Sequence, residues 1–202
     1  MADPLKLVIG LGNPGEKYAP TRHNAGYWFV ERLAGKYGGR FRDVQKFQGA
    51  TARITAPHDC WLLKPSTFMN LSGQSVGALS RYYHIGPREL LVVYDELDLP
   101  PGVARLKKGG GDAGHNGLHD VIATLGTREF WRLRVGIGHP GLGRDISSYV
   151  LRPPGKGDLA LIGEALDKVE GVLSPIMDGE FNEAMNVLNR RNKDDVDDDG
   201  LQ

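Results

Sequence analysis

Leu5-Lys6-Leu7-Val8-Ile9-Gly10-Leu11 runs directly into Gly12-Asn13-Pro14-Gly15. A short apolar run with β-branched residues that stops at a glycine turn is the pattern of a buried strand. Ala25, Trp28, Phe29, Leu33 and Tyr37 then recur at helical spacing, and Gly38-Gly39 supplies a stop. The alternation continues outward from this unit. Phe47–Ile54 and Cys60–Leu63 predict a strand pair around Pro57-His58-Asp59, and Leu71–Tyr83 predicts a helix. Leu90–Tyr94 predicts a strand, followed by a loop from Asp95 to Gly102 and a strand at Val103–Lys107. Gly109–Gly117 predicts a glycine-rich loop, Leu118–Leu125 a short helix and Trp131–Ile137 a strand. Leu159, Ile162, Leu166, Val169 and Leu173 mark an amphipathic helix, and a last helix covers Glu180–Asn189. Strands alternating with helices predict one α/β domain over residues 1–193, with a largely parallel sheet flanked by helices.

The chain's 202 residues suit a single domain with a sizeable core. Cys60 is the only cysteine, which excludes an internal disulfide and any cluster held by several thiolates. No stretch has the roughly 18 consecutive apolar residues of a membrane span. Met1-Ala2-Asp3-Pro4 lacks the basic start and apolar run of a signal peptide, so a cytoplasmic protein is expected. The formal net charge is zero, but Asp194, Asp195, Asp197, Asp198 and Asp199 all fall in the last nine residues. Residues 1–193 hold all 25 basic residues against 20 acidic ones, a net +5. The expectation is a mildly basic body that suits a polyanion, with a solvated, disordered acidic tail at 194–202.

Gly10, Gly12 and Gly15 match the GxGxxG dinucleotide fingerprint, but the fingerprint needs a helix to begin inside the glycine run. Pro14 biases Asn13 toward an extended conformation, and helical spacing starts only near His23 or Asn24. Two readings remain: a tight turn that only caps the strand, or one that aims the Asn13 amide into a cleft at the strand's carboxyl end, where α/β sheets bind ligands. His23 sits at the mouth of the following helix, and a histidine titrates in the range a general base needs. Asp95 immediately follows the run Leu90–Tyr94, so it belongs at a strand end, and it suits a carboxylate that orients a histidine. Glu96 and Asp98 read as solvated loop acids, and the trio does not match an EF-hand loop. Lys107-Lys108-Gly109-Gly110-Gly111 leads to Asp112 and then to Gly114-His115-Asn116-Gly117. The glycines let a backbone approach a ligand closely, the lysines favour an anion, and Asn116 offers a donor and an acceptor. Phe68 and Met69 fit either the core or an apolar wall beside the Asn70 amide, and Asn70 also fits a helix cap. Ser66 and Ser72 lack a GxSxG elbow, which argues against a serine hydrolase.

Together these segments resemble the bacterial-type peptidyl-tRNA hydrolase family. The resemblance rests on Val8–Gly15, Tyr18, Thr21–Gly26, Thr67–Gly73, Asp95–Pro100, Gly114–Gly117 and Arg134–Gly141, all in the family's order. It implies a twisted mixed sheet and hydrolysis of the ester joining a nascent peptide to the 3′ ribose of tRNA, without metal or cofactor. It assigns His23 as the base that deprotonates water, Asp95 as its orienting partner, and Asn13 as a reader of the peptide-like character of the substrate. It implies that Asn70 and Asn116 bind the substrate's end, that Asn116 also positions water, that Tyr18 and Phe68 touch the tRNA end beside Met69, and that Lys107 and Arg134 hold phosphate. A cytoplasmic monomer with no obligate protein partner is expected. An RNA-binding protein of the same fold without turnover is the alternative from another class. Asp112 departs from the family pattern and is expected either to repel phosphate or to pair with Lys107 or Lys108.

Overall fold

A computed structural model of the protein describes residues 3–189, so the predicted acidic tail lies outside the described residues. The elements are β1 (Leu7–Gly10), α1 (Ala25–Lys36), β2 (Arg42–Val44), β3 (Gly49–Ile54), β4 (Cys60–Pro65), α2 (Ser72–Tyr83) and β5 (Leu90–Glu96). They continue with β6 (Ala104–Lys108), α3 (Asn116–Leu125), β7 (Trp131–Gly136), α4 (Ile146–Val150), α5 (Lys156–Gly171), α6 (Leu173–Met177) and α7 (Phe181–Leu188). The seven strands form one sheet in the order β2-β3-β4-β1-β5-β7-β6. The central four, β4, β1, β5 and β7, are parallel, and β3 and β6 pair antiparallel on either side of them.

Side chains of the inner strands alternate between two apolar layers, as the period-two geometry of a strand requires. Val8, Leu91, Val93, Leu133 and Val135 face a layer formed with α1, α5, α6 and α7. Leu7, Ile9, Leu90, Val92 and Tyr94 face a smaller layer formed with α2 and α3. Both faces of the parallel strands are covered, which is why they read as continuous apolar runs rather than as alternating ones.

Three differences from the sequence expectation have local causes. β2 has no apolar pattern, because Arg42 and Asp43 are exposed on the sheet edge and backbone pairing to β3 alone defines it. α4 is a five-residue turn whose signal is its cap: Asp145 accepts from the amides of Ser147 and Ser148. The helix predicted through Leu173 ends at Gly171, and α6 restarts at Leu173.

Two glycines set the position of α1. A Cβ on Gly10 would lie 2.2 Å from the Gly26 carbonyl oxygen, and one on Gly26 would lie 2.3 Å from the Val93 oxygen. Backbone therefore meets backbone where the start of α1 crosses the tips of β1 and β5. That contact places the 3-10 turn Arg22–Asn24, just ahead of α1, over the carboxyl end of β5.

Candidate active site

The carboxyl ends of β1, β4 and β5 open into a cavity of about 650 Å³. β1 lies between β4 and β5, so chains leaving these strands part around a crevice, the usual ligand position in an open parallel sheet. Asn13 enters from β1, Phe68, Met69 and Asn70 from the segment after β4, and Asp95 from the end of β5. His23 and Tyr18 come from the β1–α1 connection and Asn116 from the start of α3. Eight of the ten predicted site residues thus line one hollow.

Asp95 lies at its centre. As the end of an apolar run implies, it closes a strand: it is the penultimate residue of β5 and is only 3% exposed. His23 Nδ1 lies 2.9 Å from its Oδ1 and 3.0 Å from its Oδ2. His115 Nε2 lies 3.0 Å from the same Oδ1. The backbone N–H of Leu118 donates to His115 Nδ1, which fixes the proton of the neutral ring on Nε2, where it donates to Asp95. His23 correspondingly donates from Nδ1 and keeps the lone pair of Nε2 for another proton. Burial opposes protonation of His23, but the charge of Asp95 and its hydrogen bond outweigh that effect, so its pKa is raised above the ordinary value. Burial acts in the opposite direction on Asp95, yet the two imidazoles hold its carboxyl well below the usual carboxylate range.

The Asn13 amide is also fixed from several sides. Asn24 Oδ1 accepts from the Asn13 backbone N–H at 2.8 Å, and Asn24 Nδ2 donates to the Asn13 carbonyl at 2.9 Å. The Met69 N–H donates to Asn13 Oδ1 at 2.8 Å. With that oxygen engaged, the side chain presents its NH2 group as the remaining polar function. Met69 is buried, whereas Phe68 is 57% exposed on the rim, with Tyr18 edge-on to it at 6.4 Å. Asn70 does not cap α2; it lies exposed in a 3-10 turn, and α2 begins at Ser72. Asn116 is the first residue of α3 rather than part of a loop, with His115 as the helix cap.

Lys107 and Arg134 do not line the hollow. Register places Lys107 opposite Arg132 and Arg105 opposite Arg134, so the two are diagonal neighbours on β6 and β7. Lys107 is exposed, while Arg134 donates to Glu96 at 2.8 Å. Glu96 is therefore no solvated loop acid; it is buried at the end of β5 as the partner of that guanidinium. Asp112 pairs with neither Lys107 nor Lys108: it accepts from the Gly114 N–H and contacts His119. Sequence reasoning gave His115 no role of its own. Its signal was the dipeptide His115-Asn116, which repeats His23-Asn24, each at the mouth of a helix. His23, Asp95 and His115 are also the group among the described residues whose donor atoms lie close enough, within 4.8 Å, to share a metal ion.

A family model described as Peptidyl-tRNA hydrolase matches residues 7–196. The chain belongs to the peptidyl-tRNA hydrolase family. It is 54% identical over 182 residues to the peptidyl-tRNA hydrolase of Nitrosospira multiformis, covering 90% of this chain and 95% of that one. It is 50% identical over 189 residues to that of Methylobacillus flagellatus, covering 94% and 98%. A crystal structure of peptidyl-tRNA hydrolase from Acinetobacter baumannii superposes with a TM-score of 0.91 at 44% identity, covering 95% of this chain and 98% of that one. The expected family is thereby established, and the mixed α/β sheet with flanking helices is the fold of its solved members.

Proposed function

We propose that this protein hydrolyses the ester between a peptidyl group and the 3′ ribose of tRNA, releasing peptide and free tRNA, with His23 as the general base. The observation that carries the role of His23 is its bonded Nδ1 and available Nε2 in a hollow large enough for an acylated nucleotide. In this reading Nε2 takes a proton from water while the water oxygen attacks the ester carbonyl. The imidazolium that forms faces the Asp95 carboxylate. Collapse of the tetrahedral intermediate breaks the bond to the ribose oxygen, which receives the proton from His23. The base is then neutral again, and the carboxylic acid releases its own proton to bulk water and leaves as a carboxylate.

General base catalysis supplies roughly 10²–10⁴-fold. Positioning supplies more. An activated ester needs no greater assistance, so the scheme requires no metal or cofactor. The NH2 groups of Asn13, Asn70 and Asn116 are uncharged donors for the peptide and for the developing oxyanion. Tyr18 and Phe68 offer ring faces to the terminal bases, a sequence-tolerant contact. Lys107, exposed beyond the hollow, and Arg134, held by Glu96, make the phosphate contacts further along the acceptor stem. A monomer acting in the cytoplasm, made of a single domain over 1–193, completes the proposal.

The test is release of N-acetyl-aminoacyl groups from tRNA by the purified protein, with unblocked aminoacyl-tRNA and EDTA as controls. Turnover of the blocked substrate that survives EDTA and is lost in His23→Ala, with tRNA binding retained, is expected. Near-normal turnover by His23→Ala rejects the assigned base, and absence of turnover by the unmodified protein rejects the reading as a whole.

A further inference from the structure

Arg22 immediately precedes the base and is 8% exposed, an unusual place for a charged side chain. The catalytic scheme above gives it no task. Its guanidinium does not enter the hollow; it turns back onto the segment that follows α4. One terminal nitrogen donates to the carbonyls of Arg152 at 3.3 Å and Pro153 at 3.0 Å. The other reaches Asp158 on α5 at 3.3 Å. The guanidinium carbon stands 4.1 Å from the centre of the Tyr149 ring, and the Arg22 backbone N–H donates to the Arg152 carbonyl at 3.2 Å. Tyr149 in turn donates its hydroxyl to the Ile137 carbonyl at 2.7 Å.

α4 needs such attachment. It has five residues, and Val150 is its one buried member. It follows the stretch Gly138–Asp145, where Gly138, Gly141 and Gly143 all have positive φ and Leu142 is fully exposed. Yet α4 and the residue after it supply one side of the hollow, through Ile146, Val150 and Leu151 with Ser147 as the one polar member. Ile146 is 44% and Leu151 36% exposed, so this wall offers apolar surface with no cation on it. Such a surface suits the apolar side chains of a peptide rather than the nucleotide.

We propose that Arg22 is a positioning residue for substrate selection: it fixes the apolar wall of α4 at a set distance from the base beside it, so that peptide side chains dock while the ester carbonyl faces His23. This rests on the hydrolase reading above. A guanidinium fork serves several acceptors at fixed angles in a way that an ammonium cannot. The structure thus joins the catalytic and the peptide-binding sides of the hollow through consecutive residues, Arg22 and His23.

The experiment compares two substrates on one tRNA: an N-acetyl-aminoacyl group, and an apolar N-acetyl-tripeptide that extends along the wall. With Arg22→Gln, KM for the tripeptidyl substrate should rise about tenfold, while that for the short substrate changes by less than about twofold. The pH profile of kcat should coincide with that of the unmodified protein, because the His23–Asp95 contact is untouched. Arg22→Lys should recover part of the discrimination. An equal loss on both substrates, a displaced pH profile, or unchanged kinetics with only a lower Tm would each overturn the proposal. Should Arg22→Gln fail to fold, Asp158→Asn removes the carboxylate that the guanidinium reaches. A KM increase confined to the longer substrate then supports the proposal, and a response blind to peptide length rejects it. Hydrolysis of both substrates by the unmodified protein separates failure here from failure of the functional reading.

Discussion

Replacing Asp95 with Asn removes a charge and leaves the shape almost unchanged. Both imidazoles aim a proton at this side chain, and both reach Oδ1. An Asn that places its carbonyl oxygen there satisfies the two rings, but its NH2 then occupies the Oδ2 position, 3.0 Å from His23 Nδ1. Two donors facing each other favour the other tautomer of His23, in which Nε2 carries the proton and cannot accept one from water. The reverse orientation confronts His115 with the NH2 group and produces the same conflict there. In either arrangement the imidazolium loses its counter-charge. We expect kcat to fall by about 10²–10⁴-fold, roughly 3–5 kcal/mol of barrier. The sign of the pH effect follows from the causes acting on His23. The base must be neutral, so kcat rises with pH through the His23 pKa, which Asp95 raises. Without the carboxylate only burial remains, and it lowers the pKa, so the acid limb of Asp95→Asn moves to lower pH. The assay is single-turnover release of N-acetyl-aminoacyl groups between pH 5 and 9. A rate within about threefold of the unmodified protein with an unmoved acid limb would refute the assigned partnership.

Other consequences are open to direct measurement. Gly26→Ala drives a Cβ into the backbone of β5 and of the residue after β1, 2.3 Å from the Val93 oxygen and 2.5 Å from the Leu11 nitrogen. We expect a loss of more than about 3 kcal/mol by urea denaturation, and a near-neutral result would remove the close crossing of α1 as the reason for glycine there. Lys107→Ala should reduce the magnitude of the slope of log KM against log salt by about one, without altering kcat. Arg134→Ala should flatten the slope less, since Glu96 already offsets its charge. The Cys60 thiol is buried and its pKa is pushed up to about 12, so native protein should resist iodoacetamide at pH 8 and react once unfolded in urea.

Much of this arrangement was readable in the sequence because strong local signals coincide with it. The run Leu7–Gly10 has both faces buried, so its apolar continuity marks a central parallel strand. Pro14 lies within the glycine run and the helix starts only at Ala25, which tells this crevice apart from a dinucleotide site. Asn13, His23, Asp95 and Asn116 all lie where strands end or helices begin. The contacts that lacked a local signal were long-range ones. Nothing adjacent to Glu96 shows that it is buried against Arg134, 38 residues away. The clamp of Arg22 on Pro153 spans 131 residues and runs mainly to backbone carbonyls, which carry no residue-type signature. His115 was visible, but its task depends on a carboxylate that another strand supplies.

The hollow has a further consequence for how this chain becomes active. Its groups arrive from the ends of β1, β4 and β5 and from the mouths of α1 and α3, and β7 must insert between β5 and β6 before the sheet is whole. Every catalytic group lies at or before Asn116, yet a chain halted before residue 131 lacks both the strand that flanks Asp95 and the α4 wall of the hollow. Turnover should therefore count only chains that extend past β7 and α4, and pass over shorter products.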